Sequence, residues 1–568
     1  KISYDKTNNI PTLLKIQYIR CNKPQGHMIK INRFITNQKR VCVIGAGLAG
    51  LTSAKYLKDE GIDFTVLEST QYIGGTWRYD PRVGTDEHGL PIHTSMYKNL
   101  RTNLPKPTME LRGFPIPEEF PSYPTWKMYY KYIQDYANHF DLKKHIKLLQ
   151  NVINVSRVDN IWKVKYKDTK TGEETDEEYD YVIVGNGHHS KANMPEIPGE
   201  KGFKGTIIHS HDYREPDPYS DRRVLVVGAG PSGMDIAIDV AYVSSKLVHS
   251  HHSKIQWKTK FPKHFIKKPD VKEYNETGVF FVDGSYEEID DVIYCTGYQY
   301  DYPFLDESCG LAIKPHSVIP LYNYMVNINE PSMVVMGLVV RACLVVAIDA
   351  QVRFWFQLRS PINTRNLQRW IQFNLHKTID DKFNKYYDKH SRHSEVSFVL
   401  RVLLQPRHYG IELLNMRNED LRLVYLSTVS FDYQSLLYFQ FRVTTIKYVL
   451  FQSRYAVALI KGNFSLPSKA EMMEDWQTRA NKIYAKGRPI SDIHFLAEKE
   501  DDYYDALTKE SGIERVPPVM FKIRVEDIKS KIDNLYTYRN YDYTVIDNET
   551  FVRRLANEAG NNNTIDIA

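Results

Sequence analysis

Two glycine-rich stretches hold the residues best suited to chemistry. The first, Gly45-Ala46-Gly47-Leu48-Ala49-Gly50, follows the apolar run Val41–Ile44 and precedes a helical pattern. It has the G-x-G-x-x-G form of a dinucleotide site. Gly45 is expected to make the tight turn, Gly47 to let backbone approach a pyrophosphate, and Gly50 to let helix pack on strand. The pyrophosphate would sit at the helix N-terminus, where free N–H groups and the helix dipole favour negative charge. A second strand, Phe64–Leu67, ends at Glu68, 18 positions after Gly50. That spacing suits a carboxylate for a ribose hydroxyl.

The second stretch repeats the pattern. Arg223–Val227 leads into Gly228-Ala229-Gly230-Pro231-Ser232-Gly233-Met234-Asp235. Two such units argue for two nucleotide cofactors, since each cradles one pyrophosphate. The strand of this unit, read at Ser245–Val248, ends without Asp or Glu and runs into His249-Ser-His-His-Ser-Lys254. A missing carboxylate with a nearby cation such as Lys254 suits a 2′-phosphate, and so NADP rather than NAD. The histidines read as a polar loop before a metal site. No Ser/His/Asp arrangement, carboxylate pair or metal-ligand spacing stands out, so the chemistry is expected to belong to the cofactors.

These motifs need a framework of strands and helices. A helix is predicted from Thr125 to Phe140 and a hairpin from Gln150–Val158 and Ile161–Tyr166 around Asp159-Asn160. The buried strand Tyr181–Val184 would return to the first sheet near the cofactor. Pro195–Gly199 reads as the crossing into the second unit, and Asp291–Tyr298 as the strand that leaves it. The expected fold class is α/β, with two Rossmann-like dinucleotide-binding domains, the second inserted in the first, and one unassigned insertion. The first domain would comprise 40–198, 300–350 and 452–558, and the inserted NADP domain 199–299. Residues 1–39 are expected to be a poorly ordered extension, with Met28 as a candidate initiator, and 559–568 a disordered tail.

The net charge of +6 rests on 75 Lys and Arg against 69 Asp and Glu. Between Phe354 and Phe451 there are 14 Lys and Arg and 8 Asp and Glu, so the rest of the chain is balanced. A balanced body offers no electrostatic footprint for nucleic acid. No apolar run is long enough to span a bilayer; the best, Met333–Ile348, carries Arg341. Five cysteines without dithiol or metal spacing suit a reducing compartment. The expected location is cytoplasmic or peripheral to the endoplasmic reticulum membrane.

Phe203-Lys-Gly205-Thr-Ile-Ile-His209-Ser-His-Asp-Tyr213 stands between the two glycine motifs. It matches the F-x-G-x-x-x-H-x-x-x-[YF] fingerprint of flavin-containing monooxygenases, and the chain resembles that family over roughly 40–350 and 452–558. Tyr213, where the related Baeyer–Villiger enzymes usually carry Trp, tilts the resemblance towards N- or S-oxygenation. The resemblance implies FAD at Gly45–Gly50, Glu68, Thr76 and Trp77, and NADPH at Gly228, Gly230, Ser232, Gly233, Met234 and Asp235. Thr102-Asn103-Leu104 would lie between flavin and nicotinamide, with Asn103 as the catalytic residue beside the oxygen chemistry. His209 and Tyr213 would hold the linker between domains. NADPH would reduce FAD, and a flavin C4a-hydroperoxide would pass one oxygen of O₂ to the nitrogen or sulfur of a small amine or sulfide, a xenobiotic or alkaloid. The alternatives are an uncoupled NADPH oxidase that releases hydrogen peroxide, or a flavoprotein inactivated by its insertion.

The family closes its flavin domain with a Q-x-R-aromatic helix start, and this chain has two: Gln351-Val-Arg353-Phe354 and Gln452-Ser-Arg454-Tyr455. The second continues as the family does, so Gln452 is assigned to FAD. The segment 351–451, with Gly410 its single glycine after Phe354, shows no visible resemblance. It reads as a helical partner-binding insertion, a disordered excursion, or an artefact of the gene prediction. Gly337-Leu338-Val339 replaces the Gly-Leu-Pro usual in the family.

Overall fold

The computed structural model describes residues 40–253, 255–340, 342–359, 467–496, 499–556 and 566–567. Strand β1 (Arg40–Ile44) is buried on both faces, as a parallel sheet requires. Val41 and Val43 face one core, Cys42 and Ile44 another. Helix α1 (Leu48–Asp59) leaves the glycine turn and returns the chain to β2 (Asp63–Leu67), parallel to β1. Thr125 caps α2 (Trp126–His139) by accepting from the Met128 N–H. Its Tyr129, Tyr132, Ile133 and Tyr136 turn inwards at helical spacing. Strand β3 (Ile146–Lys147) joins the edge of β2.

An antiparallel layer follows, Gln150–Val158, Ile161–Asp168 and Glu174–Tyr179. Asp159 and Asn160, at φ 50° and 61°, make its first hairpin turn, as their types predict. Trp162 and Val164 of this layer cover the Cys42 and Ile44 face. Strand β4 (Tyr181–Val184) then lies parallel to β1, as expected.

The second unit contains β5 (Thr206–His209), β6 (Arg223–Val227), α3 (Pro231–Ala241), β7 (Lys246–Ser250), β8 (Phe265–Lys268) and β9 (Asp291–Tyr294). Its sheet is parallel throughout, in the order β8-β7-β6-β9-β5. Val224 and Val226 pack on Ile236, Ala237 and Val240 of α3, and Leu225 packs on Val279 and Phe281 behind. The chain enters this unit through Lys191–Ala192 and leaves it through Tyr298–Gln299, and the two crossings pair antiparallel.

Back in the first unit, β10 (Leu321–Tyr322), β11 (Val326–Asn327) and β12 (Met333–Val335) complete a seven-stranded sheet, β10-β11-β12-β4-β1-β2-β3. Two Rossmann-like units, one inserted in the other, form the α/β fold that the sequence predicts.

Helix α4 (Leu344–Arg359) corrects the boundary drawn at 350, which falls inside it. The helix packs on α1: Tyr56 donates to Asp349 Oδ1 at 2.6 Å, and Asp349 holds Arg353 at 2.7 Å. Gln351 is buried; its Oε1 accepts from the Gly337 N–H at 3.1 Å and its Nε2 donates to the Tyr503 hydroxyl at 3.1 Å. The first copy of the Q-x-R-aromatic pattern is therefore part of this core. The second copy, with Gln452, lies outside the described residues, as do 1–39 and 360–466. Val339, where the family usually has Pro, is buried, and Val340 exchanges backbone hydrogen bonds with His494 and Leu496.

From Pro467 the chain forms α5 (Lys469–Tyr484), α6 (Glu500–Ser511), α7 (Pro518–Asp533) and the hairpin β13 (Tyr541–Val545) and β14 (Phe551–Leu555). Val519 and Ile523 of α7 share a small core with Tyr123, Tyr538, Tyr543 and Phe551. Among the described residues no helix is long and apolar enough to cross a membrane.

Candidate active site

Both glycine motifs sit where ligands bind in such sheets, at the carboxyl ends of the central strands. They repeat atom for atom. The N–H of Gly45 donates to Leu67 O at 2.8 Å, and that of Gly228 to Ser250 O at 2.9 Å. Gly45 and Gly228 have φ of 95° and 112°, the left-handed side that favours glycine. A Cβ on Gly50 would stand 1.8 Å from Gly45 O, and one on Gly233 2.0 Å from Gly228 O. The first and third glycines therefore answer to the chain's own packing.

The middle glycines do not. Gly47 and Gly230 have ordinary extended backbone, φ −79° and −71°. A Cβ on Gly230 would meet nothing within 4 Å, and one on Gly47 only Gly75, no closer than 3.6 Å. Neither helix has a side chain capping its first turn or an acid within it. A cradle left bare by the protein fits a pyrophosphate lying against the backbone.

Around the first cradle, Ala46 and Ala49 are buried and Leu48 half-buried. The buried Glu68 accepts from the Ala46 N–H at 2.8 Å through Oε2, and from the Thr70 N–H and hydroxyl at 2.9 and 2.8 Å through Oε1. The Gly74 N–H donates to Ala46 O at 2.9 Å, folding the Gly74–Trp77 turn over the cradle. Trp77 lies against Tyr129, with ring centroids 4.4 Å apart. The hydroxyls of Thr76 and Thr102 are both buried without a hydrogen-bond partner. Buried polar groups seldom go unpaired, and these two stand at positions where the family resemblance implies the cofactors. Next to Thr102, Asn103 is exposed and Leu104 half-buried. The backbone carbonyl of Asn103 accepts from Lys531 Nζ.

In the second unit Ser232 is half-buried and Met234 buried on α3. Asp235, expected at NADPH, has protein partners of its own. Its Oδ1 accepts from Arg539 Nη1 at 2.7 Å and its Oδ2 from the Tyr97 hydroxyl. Both oxygens are taken by the flavin-type unit, so the residue ties the units together.

His249 is not part of a loop. It is buried on β7, its Nε2 donates to Gly228 O at 2.8 Å, and burial lowers its pKa to about 4. Register reveals a residue that sequence spacing missed. Leu67 pairs with Ile44, and Ser250 with Val227, so His251 stands in the second unit where Glu68 stands in the first. Its Nε2 is buried without a partner, and burial, then Lys267, lowers its pKa. An imidazole in place of a carboxylate, with Lys267 opposite His249 on β8, suits a phosphate. Lys254 lies outside the described residues. His209 and Tyr213 are buried at the end of β5 and beyond it; Tyr213 donates to Asp239 Oδ2 at 2.7 Å, and His209 meets Tyr298 of the outgoing crossing edge-on.

The profile of the flavin-binding monooxygenase-like family matches residues 38–258 and 262–403. Senecionine N-oxygenase of Tyria jacobaeae is 33% identical over 524 residues, covering 91% of this chain and 92% of that protein. The chain belongs to this family. It is a flavin-containing monooxygenase, and FAD and NADPH are the cofactors that go with it. Flavin-containing monooxygenase FMO GS-OX4 of Arabidopsis thaliana is 36% identical over 306 residues, 51% of this chain and 66% of its own. The S-allyl-L-cysteine S-oxygenase of Allium sativum shares the fold, with a TM-score of 0.66 at 24% identity over 89% of this chain and 95% of that one. The family match continues to residue 403, into the segment 351–451 where the sequence alone showed no resemblance.

Proposed function

We propose that this monooxygenase transfers one oxygen atom of O₂ to the nucleophilic nitrogen of a small amine of the alkaloid type, with NADPH as electron donor and FAD as carrier. The second oxygen leaves as water. The nearly full-length likeness to a protein named senecionine N-oxygenase supports nitrogen over sulfur. The observation that carries the reading is the pair of bare middle glycines, Gly47 and Gly230, at two matching helix N-termini.

Bound FAD supplies acceptance of two electrons from NADPH and the activation of O₂. The chain's own residues bind and orient. Gly45–Gly50 and Glu68 would hold the FAD pyrophosphate and ribose; Gly228–Gly233 and His251 would hold NADPH. Thr76 and Thr102 would give their unpaired hydroxyls to the cofactors. Asn103, whose amide both donates and accepts, would fix the spent NADP⁺ over the reaction centre and keep water out of it.

The test compares NADPH consumed, amine oxide formed and hydrogen peroxide released by the purified protein with a tertiary amine and with a sulfide. Amine oxide in step with NADPH supports the proposal. Peroxide equal to NADPH with either substrate makes the protein an oxidase, and protein without visible flavin absorbance makes it an inactive product.

A further inference from the structure

Two hydrogen bonds join the Thr102-Asn103 pair to a part of the chain more than 400 residues away in sequence. Lys531, in the last turn of α7, donates to Asn103 O and to Asp527 Oδ2, the latter at 2.5 Å. Asp527 is fully buried and also accepts from the Tyr123 hydroxyl at 2.7 Å. Arg539, just before β13, donates from Nε to Thr102 O at 3.3 Å. Its Nη1 donates to Asp235 Oδ1 at 2.7 Å. Asp235 lies one turn into α3, the helix whose N-terminus carries Gly230.

One guanidinium thus reaches both units. Its Nε is bonded to the backbone of the Thr102-Asn103 pair in the flavin-type unit, and its Nη1 to the helix that presents the second cradle. The planar group sets the angle between these bonds, because its five N–H donors form a rigid fork. The guanidinium is also seated on the Tyr538 ring, 4.8 Å from its centroid, which limits how it can turn. The Tyr97 hydroxyl holds the other oxygen of Asp235. Displacing α3 would therefore pull on Thr102 and Asn103, and the reverse.

We infer that Arg539 is a positioning residue that sets the second nucleotide cradle in register with Asn103, so that NADP⁺ binding and the fate of the activated oxygen depend on one side chain. The inference rests on the proposed function above. It assigns Asp235 to this clasp rather than to the cofactor, and makes Lys531 its second arm, bonded to the Asn103 carbonyl.

The test uses the full chain with FAD bound. Arg539→Met, Arg539→Lys, Asp235→Asn and the Arg539→Met/Asp235→Asn double variant are compared with wild type for NADP⁺ affinity by calorimetry, flavin content, and the ratio of amine oxide to peroxide. Arg539→Met is expected to keep its flavin and to bind NADP⁺ about tenfold more weakly, with more of the oxygen released as peroxide. Arg539→Lys keeps the charge but lacks the rigid fork that makes both bonds together, so its affinity should fall in between. In the double variant the two losses should not add, because either one breaks the same tie. Wild-type affinity and product ratio in Arg539→Met, or fully additive losses in the double variant, overturn the inference. If Arg539→Met proves insoluble, Asp235→Asn and Arg539→Lys decide alone: unchanged affinity and product ratio in both overturn it. A wild-type protein that binds no NADP⁺ overturns the proposed function and this inference together.

Discussion

Asn103 and His251, the two positions to which the proposal gives new weight, are built differently. Asn103 is exposed, and its backbone carbonyl is held by Lys531. Asn103→Ala removes only the amide and leaves that tie in place. The variant is expected to melt within about 0.5 kcal/mol of wild type and to be reduced by NADPH at the normal rate. Its yield of amine oxide should fall about a hundredfold, with peroxide taking up the difference; paired oxide and peroxide assays check this. His251 stands in the place of Glu68. His251→Asp would put a carboxylate where a 2′-phosphate is expected and a free ribose hydroxyl could bond. The ratio of kcat/KM for NADPH to that for NADH should drop at least about tenfold, measured as flavin reduction by each nucleotide. The sequence exposed Asn103 through a family pattern. It hid His251, because the residue after a strand is fixed only when the register is known.

Elements were legible wherever sterics and alternation leave one solution. The strand–turn–helix units follow from glycines whose Cβ positions are already occupied, and the sheets follow from runs buried on both faces. Gly50→Ala and Gly47→Ala should therefore part company. The first forces a methyl to 1.8 Å from Gly45 O and is expected to cost about 3 kcal/mol or more, seen as insoluble or low-melting protein. The second should fold normally and lose FAD, read from the visible absorbance of soluble protein. What spacing could not reveal was partnership. Gln351 and Gln452 carry the same local pattern, and only the packing of α4 on α1 places Gln351. The family pattern offers Asp235 as a cofactor contact and says nothing of its partners Tyr97 and Arg539, the latter 304 residues away. Burial of β7 also makes the second unit sensitive to acid. His249 is neutral in the fold, with its pKa lowered from 6.5 to about 4. Its stabilising effect is present above pH 6.5 and is lost as pH falls towards 4, by up to ~1.4 kcal/mol per unit. His249→Gln should flatten that slope in urea melts between pH 7 and 5, while costing stability at pH 7.

At the scale of the molecule, the chain is two Rossmann-like units joined by the Thr102-Asn103 loop, which Arg539 bonds to the second. Both cradles open at the carboxyl ends of parallel strands, the two crossings pair as Lys191–Ala192 with Tyr298–Gln299, and Arg539 bonds the loop to the second unit. Under the proposed function, electrons would enter on the second unit and leave for the first. The most direct measurement is flavin reduction by NADPH without oxygen in Gly230→Ala, followed by stopped-flow absorbance. The added methyl meets nothing within 4 Å and needs no backbone change. Gly230→Ala is expected to fold and carry flavin, with reduction by NADPH slowed at least a hundredfold if the second cradle holds the nucleotide. Reduction at the wild-type rate would contradict it.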